Sequence, residues 1–170
     1  MKTLDLSGVL RNIPWAVVGG VATRTYMPER ATLDLDILIH GRDSQRVASA
    51  LKDSGFEHQN KLLIGGWTWK SHDGRMLDVV ENDEAWVDEA LLSLVTDPQG
   101  LPVLRLPYLI LMKFRASRTQ DLADISRMLG EADEAEIGKV RSVIVRFLSD
   151  ALDDLESLIQ LGKLERKKER

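Results

Sequence analysis

Short apolar runs separated by turn residues dominate the first half of the chain. Residues 15–18 form a continuous apolar run that predicts a buried strand, and Gly19 and Gly20 follow it. Residues 33–40 alternate instead, with leucine or isoleucine at 33, 35, 37 and 39, which predicts a strand with one core face. Asp34 and Asp36 occupy the other face. The pattern therefore predicts two strands, separated by a glycine turn and a short helix over residues 21–26.

A hairpin and several helices complete the predicted core. Residues 67–70 and 75–80 flank Ser71-His72-Asp73-Gly74, and Asp-Gly between two strand-like runs predicts a β-hairpin. Residues 101–106 are predicted to be extended. Further helices are predicted over residues 4–11, from Asp43 or Ser44 to Ser54, from Asp83 through Leu91, from Pro107 to about Ala116, and from Thr119 to Gly130.

The last third of the chain has a helical pattern. Apolar residues recur at helical spacing from Glu134 to about Leu164, which predicts one long amphipathic helix or two helices with a break. The charged tail from Lys163 to Arg170 has no apolar partner and is predicted to fray. The order of elements predicts an α/β (α+β) fold with a mixed sheet flanked by helices. We expect a core over residues 1–130 and a C-terminal helical extension over residues 131–170.

Composition limits the setting of this fold. The 170 residues include 44% hydrophobic and 29% charged positions, which is ordinary for a globular protein. No apolar run approaches the ~20 residues that cross a bilayer, and the N-terminus lacks the apolar segment of a signal peptide, so no membrane partner is expected. The lack of cysteine excludes disulfides and thiolate metal sites and agrees with a cytoplasmic location. A formal charge of -4 argues against a broad basic surface for nucleic acid.

Three aspartates are the candidate chemical groups. Asp34 and Asp36 would lie about 6.5–7 Å apart on one strand face. Asp78 lies in an otherwise apolar strand, where an unpaired carboxylate is costly, so it needs a partner. If the two strands are adjacent, the three carboxylates converge and repel one another unless a divalent cation such as Mg²⁺ or Mn²⁺ neutralises them. The alternative is that Asp78 pairs with Arg75 or Lys70 across the hairpin.

Two further features suit an anionic ligand. A glycine turn before a helix allows backbone N–H groups to approach a phosphate, although most glycine pairs are simple turns. Lys113 lies in a helix that is apolar on nearly every side, so its ammonium group must reach solvent or meet an anion such as a nucleotide triphosphate. Trp67 and Trp69 share a strand face, and both core packing and stacking on a base are open to them.

Several motifs occur together in one order along the chain. They are Val18-Gly19-Gly20, then Arg30-x-Thr32-x-Asp34-x-Asp36, then Asp78 in an apolar strand, then Lys113, Arg118, Asp121 and Asp124. Together they resemble the polymerase-β-type nucleotidyltransferases, especially the branch that holds abortive-infection toxins and, more distantly, lincosamide and aminoglycoside nucleotidyltransferases. The resemblance covers roughly residues 14–129 and implies a nucleotidyltransferase-like fold.

The resemblance also implies an activity and a set of site residues. The activity is metal-dependent transfer of a nucleoside monophosphate from an NTP to an acceptor. Asp34, Asp36 and Asp78 would be the catalytic carboxylates and would hold Mg²⁺ or Mn²⁺. Val21 stands where many members carry serine, so the hydroxyl contact to phosphate is either missing or supplied by Thr23. The implied nucleotide-binding residues are Gly19, Gly20, Thr23, Arg30, Thr32, Lys113 and Arg118.

The acceptor and the partners remain open. RNA or tRNA, proteins and small hydroxylated molecules are acceptors in families that the chain resembles, and the branch implies the toxin of a toxin–antitoxin pair with an antitoxin partner. A second class of function is a catalytically silent nucleotidyltransferase-like binding module. A third is a pairing subunit that forms a homodimer through the C-terminal helix. Asp121 also has a purely structural interpretation, because a carboxylate in the first turn complements the helix dipole.

Overall fold

The computed structural model describes Leu4, residues 6–27 and residues 34–168. Two of the predicted nucleotide-binding residues, Arg30 and Thr32, lie outside the described residues. By their internal packing the described residues form two compact units, the first within residues 1–22 and 31–104 and the second within residues 23–30 and 105–170. The predicted division into a core over residues 1–130 and a C-terminal extension over residues 131–170 stays a prediction.

A mixed β-sheet forms the centre of the first unit. Its strands are β1 (Ala16–Val18), β2 (Leu35–His40), β3 (Glu57–Lys61), β4 (Gly66–Lys70), β5 (Met76–Asn82), β6 (Val95–Thr96) and β7 (Pro102–Val103). Within the described ranges these seven strands lie in the order β3-β4-β5-β2-β1-β7-β6. Strand β2 pairs parallel with β5 and antiparallel with β1, while β4 and β5 form the predicted antiparallel hairpin. The predicted mixed sheet is therefore confirmed.

Side-chain alternation gives the two faces of this sheet different characters. Trp67, Val79, Ile37 and Val17 are registered neighbours on four successive strands, so their side chains form a row on one face. Val79, Ile37 and Val17 are almost fully buried. We call this the core face. The opposite face carries the even-numbered residues of β2 and β5, including the candidate aspartates.

Two helices of the first unit follow β2 and β5. Helix α2 (Ser44–Asp53) buries Val47 and Leu51, and Ser44 donates a hydrogen bond from Oγ to Glu81 at the end of β5. Glu81 has the same parity as Val79, so α2 packs on the core face. Helix α3 (Trp86–Leu92) contacts β2 and buries Trp86 and Val87. Both helices agree with the predicted mixed sheet flanked by helices.

The second unit is helical. Its helices are α4 (Leu106–Ala116), α5 (Thr119–Glu131), α6 (Glu134–Phe147) and α7 (Leu152–Lys168), together with the last part of α1 (Gly19–Tyr26). Pro107 lies in the first turn of α4, as predicted, because its missing N–H is not needed there. Helix α5 packs along α7, and α4 packs against α5 and α6. None of the helices in the described part of the chain is long and apolar enough to cross a membrane.

Glycines allow α5 and α7 to approach closely. A Cβ atom added to Gly130 would lie 2.6 Å from the backbone oxygen of Gly162, and a Cβ added to Gly162 would lie 2.9 Å from the backbone nitrogen of Gly130. The obstacles are backbone atoms of the partner helix, which cannot rotate away as a side chain can. The spacing of these two helices therefore depends on both glycines.

The Gly162→Ala variant is expected to be destabilised by about 1–3 kcal/mol, because the added methyl group overpacks the contact between α5 and α7. Urea unfolding followed by circular dichroism measures the change. Gly138→Ala is the matched control, since Gly138 lies in α6 with open space around it. That substitution should stabilise the protein by up to ~1 kcal/mol, because alanine favours the helix over glycine. Equal effects of the two substitutions would contradict the close crossing.

One local prediction is wrong, one strand was not predicted, and the structure selects one of the two alternatives predicted for the C-terminal region. The predicted helix over residues 4–11 is wrong, because residues 7–12 form turns and Asn12 has a positive φ of 63°. Strand β3 was not predicted, since all five of its residues are polar and exposed and it carries no apolar pattern. The C-terminal pattern forms two helices, with α6 ending at Phe147 and a short 3-10 turn at Ser149–Ala151 before α7.

The predicted fraying of the charged tail from Lys163 is also wrong for the residues that the structure describes. Helix α7 continues to Lys168. Lys163 forms an ion pair with Glu134, while Arg166 lies 3.1 Å from Glu131 and donates to the backbone oxygen of Gly130. These contacts hold the charged turns of α7 against α5 and α6, which hydrophobic patterning alone did not reveal.

Candidate active site

A polar row crosses the sheet on the face opposite the core face. Asp36 on β2 is in register with Asp78 on β5, and Asp78 is in register with Thr68 on β4. Registered residues on adjacent strands share a face, and adjacent strands lie about 4.8 Å apart. The structure therefore brings Asp36 and Asp78 side by side, as predicted for adjacent strands. We call Thr68, Asp78 and Asp36 the polar row.

Asp78 obtains its hydrogen-bond partner from within the polar row. The hydroxyl group of Thr68 donates to Oδ1 of Asp78 over 2.6 Å. The alternative prediction was that Asp78 pairs with Arg75 or Lys70 across the hairpin. In the structure the guanidinium group of Arg75 lies 2.6 Å from Asp73 instead. One oxygen of Asp78 is thus oriented by Thr68, while both carboxyl groups of the row remain partly exposed to solvent.

The glycine turn closes directly onto Asp36. Gly19 has a φ of +60°, in the left-handed region that glycine adopts without strain. A Cβ atom added to Gly19 would overlap Oδ2 of Asp36 and would lie 2.7 Å from its Cγ. The position therefore excludes a side chain twice, once by backbone conformation and once by the adjacent carboxylate. Helix α1 begins at Gly19, so its first N–H groups start beside Asp36.

Asp34 has a different position from the one predicted. Strand β2 begins at Leu35, so Asp34 lies just before the strand and is exposed. The pairing of β2 with β1 ends at Asp36, opposite Val18, because Gly19 turns the chain into α1. Of the three predicted catalytic aspartates, the sheet registers only Asp36 and Asp78 with each other.

The polar row fits a divalent cation by its donor chemistry, since carboxylate and hydroxyl oxygens are the ligands that Mg²⁺ and Mn²⁺ accept. In the described portion of the chain, no group of three or more His, Cys, Asp or Glu side chains is arranged to hold a metal ion. The three-aspartate metal site therefore stays a prediction. Its two carboxylates on adjacent strands are in place, and Asp34 would have to approach them to complete it.

Lys113 meets anions inside the second unit. Its ammonium group lies 2.8 Å from Oδ2 of Asp124 and 3.3 Å from Oδ1 of Asp121, and all three side chains are buried. Arg118 approaches Asp121 from the solvent side, with its Nε 2.6 Å from Oδ2. The anionic partners that Lys113 requires are thus two carboxylates of α5. We call Lys113, Asp121 and Asp124 the buried triad.

The charge state of Asp121 follows from these contacts. Burial acts to raise the pKa of the Asp121 carboxyl group, but the hydrogen bond from Arg118 and the charge of Lys113 outweigh burial and lower the pKa below its usual value. Asp121 is therefore ionised at neutral pH and balances Lys113. The same carboxylate accepts the backbone N–H of Arg118 at the start of α5, which agrees with its structural interpretation.

The remaining predicted nucleotide-binding residues are distributed over both units. Gly20 follows Gly19 in the first turn of α1 and belongs to the first unit. Thr23 is fully buried and belongs to the second unit, as do Lys113 and Arg118. The nucleotide-binding roles of all of these residues stay predictions.

Thr68 was missed as a candidate site residue. Its position between Trp67 and Trp69 made it look like an ordinary alternating residue. The predicted turn did not reveal it, because counting back from a turn over residues 71–74 puts Trp67 opposite Asp78. In the structure Ser71 bonds to Arg75 and Lys70 pairs with Met76, which shifts the register by one residue and puts Thr68 opposite Asp78.

The Gly19→Ala variant is expected to lose any activity that depends on Asp36 by about 10²-fold, because its methyl group displaces the carboxylate. Nucleotide turnover and thermal unfolding should be measured together. Gly55→Ala is the matched control, since Gly55 has a similar positive φ of 82° but nothing within 4 Å of an added Cβ. Both variants are expected to lose stability through the positive φ, and activity is expected to fall only in Gly19→Ala. Equal activities in the two variants would contradict the close approach of Gly19 to Asp36.

Comparison with known proteins adds information about the fold. No protein-family model and no curated protein sequence matches the chain. The chain is similar to the crystal structure of the antibiotic nucleotidyltransferase ANT(2″)-Ia in complex with adenylyl-2″-tobramycin, with a TM-score of 0.51 and 15% identity, covering 91% of this chain and 92% of that chain. It is also similar to a solution structure of the same antibiotic-resistance factor, with a TM-score of 0.50 and 14% identity over 96% of this chain and 92% of that one. The predicted fold is therefore confirmed, and the chain has a nucleotidyltransferase-like α/β fold.

Proposed function

We propose that this protein is a metal-dependent nucleotidyltransferase that moves a nucleoside monophosphate from an NTP to an acceptor hydroxyl group. The observation that carries the proposal is the register of Asp36 with Asp78, beside a glycine turn that no side chain could occupy. Two carboxylates on neighbouring strands repel each other and contribute nothing to core packing. A cation-dependent reaction gives a reason for both of them.

Each part of the site has a chemical task in this proposal. Asp36 and Asp78, with Asp34, would hold the divalent cation, which when bound supplies positive charge against the phosphates. The N–H groups at the start of α1, at Gly19 and Gly20, face the phosphates. Thr68 fixes the orientation of Asp78 through its hydrogen bond.

The bond changes are those of a phosphoryl displacement. The acceptor oxygen forms a bond to the α-phosphorus, the bond between the α-phosphorus and the bridging oxygen breaks, and pyrophosphate leaves with that oxygen. The proton of the acceptor hydroxyl passes to a carboxylate, for which Asp78 is the candidate because Thr68 occupies only one of its oxygens.

The acceptor is the open part of the proposal. ANT(2″)-Ia was solved with adenylyl-2″-tobramycin, so a small hydroxylated molecule is one class of acceptor to test. RNA, tRNA and protein are the other classes. A toxin role with an antitoxin partner, a cytoplasmic location and a homodimer through α7 remain predictions. The silent binding module is not favoured, since it has no use for two adjacent carboxylates.

Thermal unfolding with each NTP, with and without Mg²⁺ or Mn²⁺, tests the proposal before the acceptor is known. A ligand present at about 100 times its Kd stabilises the folded state by roughly 2.7 kcal/mol. We expect stabilisation by at least one NTP that requires the cation, and release of pyrophosphate on long incubation. No stabilisation by any NTP that requires the cation, or cation-dependent stabilisation that Asp36→Asn leaves unchanged, would overturn the proposal.

A further inference from the structure

A cavity lies on the core face of the sheet, behind the polar row. Its volume is about 190 Å³, and it opens between α2 and the end of the β3–β4–β5 meander. Its main lining residues are Val47, Lys52, His58, Trp67, Val79 and Glu81. Val79 follows Asp78 directly, and successive strand residues face opposite sides, so the sheet separates the cavity from the polar row. We call it the α2 cavity.

One wall of the α2 cavity is aromatic. The imidazole ring of His58 lies 4.2 Å from the centre of Trp67 and 4.9 Å from the centre of Trp69. Trp69 is 2% exposed and packs in the core, whereas Trp67 remains partly exposed at the cavity. A partly exposed indole beside a small cavity offers a flat surface on which a planar ring can stack.

The polar end of the cavity is a carboxylate that is held in place. Ser44 donates from Oγ to Oε1 of Glu81 over 2.7 Å, at the start of α2. Glu81 is in the last part of β5 and is only partly exposed. A carboxylate is an acceptor without donors, so its oxygens suit an amino group of a ligand and repel a carbonyl oxygen.

Positive charge lies at the other end. Lys52 follows Ser44 by eight positions on α2, which places the two backbones about 12 Å apart along the helix. Lys52 is exposed, and the ammonium group of Lys61 lies 6.0 Å from the centre of the Trp67 ring. The cavity thus combines a flat aromatic wall and an interior acceptor with cations at the rim.

We propose that the α2 cavity binds the base of a nucleotide, with an amino group of the base at Glu81, the ring on Trp67 and the phosphate at Lys52. The cavity volume agrees with a base that lies inside and a sugar and phosphate that lie outside. Pockets for whole drug-sized ligands measure about 300–1,000 Å³, and this smaller cavity has room for a ring system alone. Adenine and cytosine present amino groups; uracil presents carbonyl oxygens and binds less well. The site is distinct from the polar row, so this proposal does not depend on the proposed transfer reaction.

Isothermal titration of the full-length protein with AMP, CMP and UMP, without divalent cation, tests the site. We expect saturable binding of AMP or CMP that is at least ~10-fold tighter than binding of UMP. Glu81→Gln should weaken AMP and CMP binding and remove this preference, because a neutral amide accepts an amino group less strongly than a carboxylate does and also donates to carbonyl oxygens. Lys52→Ala should weaken the binding of AMP but leave the affinity for adenosine unchanged, because adenosine has no phosphate. Lys139→Ala is the matched control, since Lys139 lies exposed on α6.

A variant of the opposite face separates the two sites. Asp36→Asn should leave AMP affinity unchanged, whatever it does to nucleotidyl transfer. Loss of AMP binding in Asp36→Asn but not in Glu81→Gln would assign the nucleotide to the polar row and overturn the proposal. So would the absence of saturable binding of all three nucleotides to the wild type.

The source of the nucleotide is distinguished by a further titration. A short single-stranded oligoadenylate contains the same base and phosphate as AMP. Tighter binding of the oligomer than of AMP, weakened by Glu81→Gln, indicates a segment of RNA as the occupant. Equal or weaker binding of the oligomer indicates a free nucleotide. Either result supports a base site in the α2 cavity, whereas oligomer binding that Glu81→Gln leaves unchanged would contradict it.

Discussion

Replacing Asp36 by asparagine is expected to reduce the proposed nucleotidyl transfer by at least about 10³-fold while leaving the fold intact. Asparagine has the shape of aspartate, so the packing against Gly19 and the pairing with β1 and β5 are preserved. The charge that would hold the divalent cation is lost. The measurement is release of label from an α-³²P-labelled NTP, together with transfer of that label to RNA, protein or tobramycin.

A matched aspartate provides the control for this substitution. Asp53 is exposed at the end of α2, and Asp53→Asn makes the same chemical change outside the polar row. We expect wild-type turnover in Asp53→Asn and the same unfolding temperature in both variants, within about 2 °C. Turnover in Asp36→Asn within tenfold of wild type would show that the polar row is not the site of chemistry.

Replacing Lys113 by methionine is expected to destabilise the protein by about 3–5 kcal/mol, because removing one partner of a buried ion pair leaves the others uncompensated. Methionine matches the length of the lysine side chain, so little packing is lost. The two carboxylates of the buried triad would remain close together inside the second unit, where Arg118 bonds to Asp121 and Gln120 bonds to Asp124. Chemical denaturation at neutral pH measures the change.

Two further variants locate the cause of that destabilisation. Lys139→Met removes an exposed lysine and should change stability by less than about 0.5 kcal/mol. The triple variant Lys113→Met with Asp121→Asn and Asp124→Asn removes all three charges and should recover stability relative to Lys113→Met alone. If the triple variant is no more stable than the single one, charge compensation is not the main role of the buried triad.

The sequence predicted those elements of the fold that depend on local patterns. Alternation identified the core face of β2, the Asp-Gly turn identified the β4–β5 hairpin, and Pro107 marked the start of α4. Each signal lies within a few residues of the element that it specifies. The pairing of β2 with β5 joins residues more than forty positions apart, so no local pattern specified it. The prediction that the carboxylates converge was therefore conditional on these two strands being adjacent.

The partner of Lys113 shows why the candidate site was harder to predict than the fold. The sequence predicted that a lysine in an apolar helix must reach solvent or meet an anion, and the structure shows that Lys113 meets an anion. The identity of the anion depends on how α4 and α5 pack, which places Asp121 and Asp124 at the lysine. Asp34 illustrates the same limit, since the pairing of β2 with β5, which starts at Leu35 opposite Leu77, and not the alternation of β2, decides where the strand begins.

The polar strand β3 has a consequence for the behaviour of the protein at high concentration. It forms one edge of the sheet, where unpaired backbone groups could join a strand of another molecule. All five of its residues are polar and exposed, and it begins with Glu57 and ends with Lys61. A second copy that added its own edge strand would have to desolvate these charged side chains. The sheet can therefore end at β3 without promoting the intermolecular strand pairing that leads to aggregation.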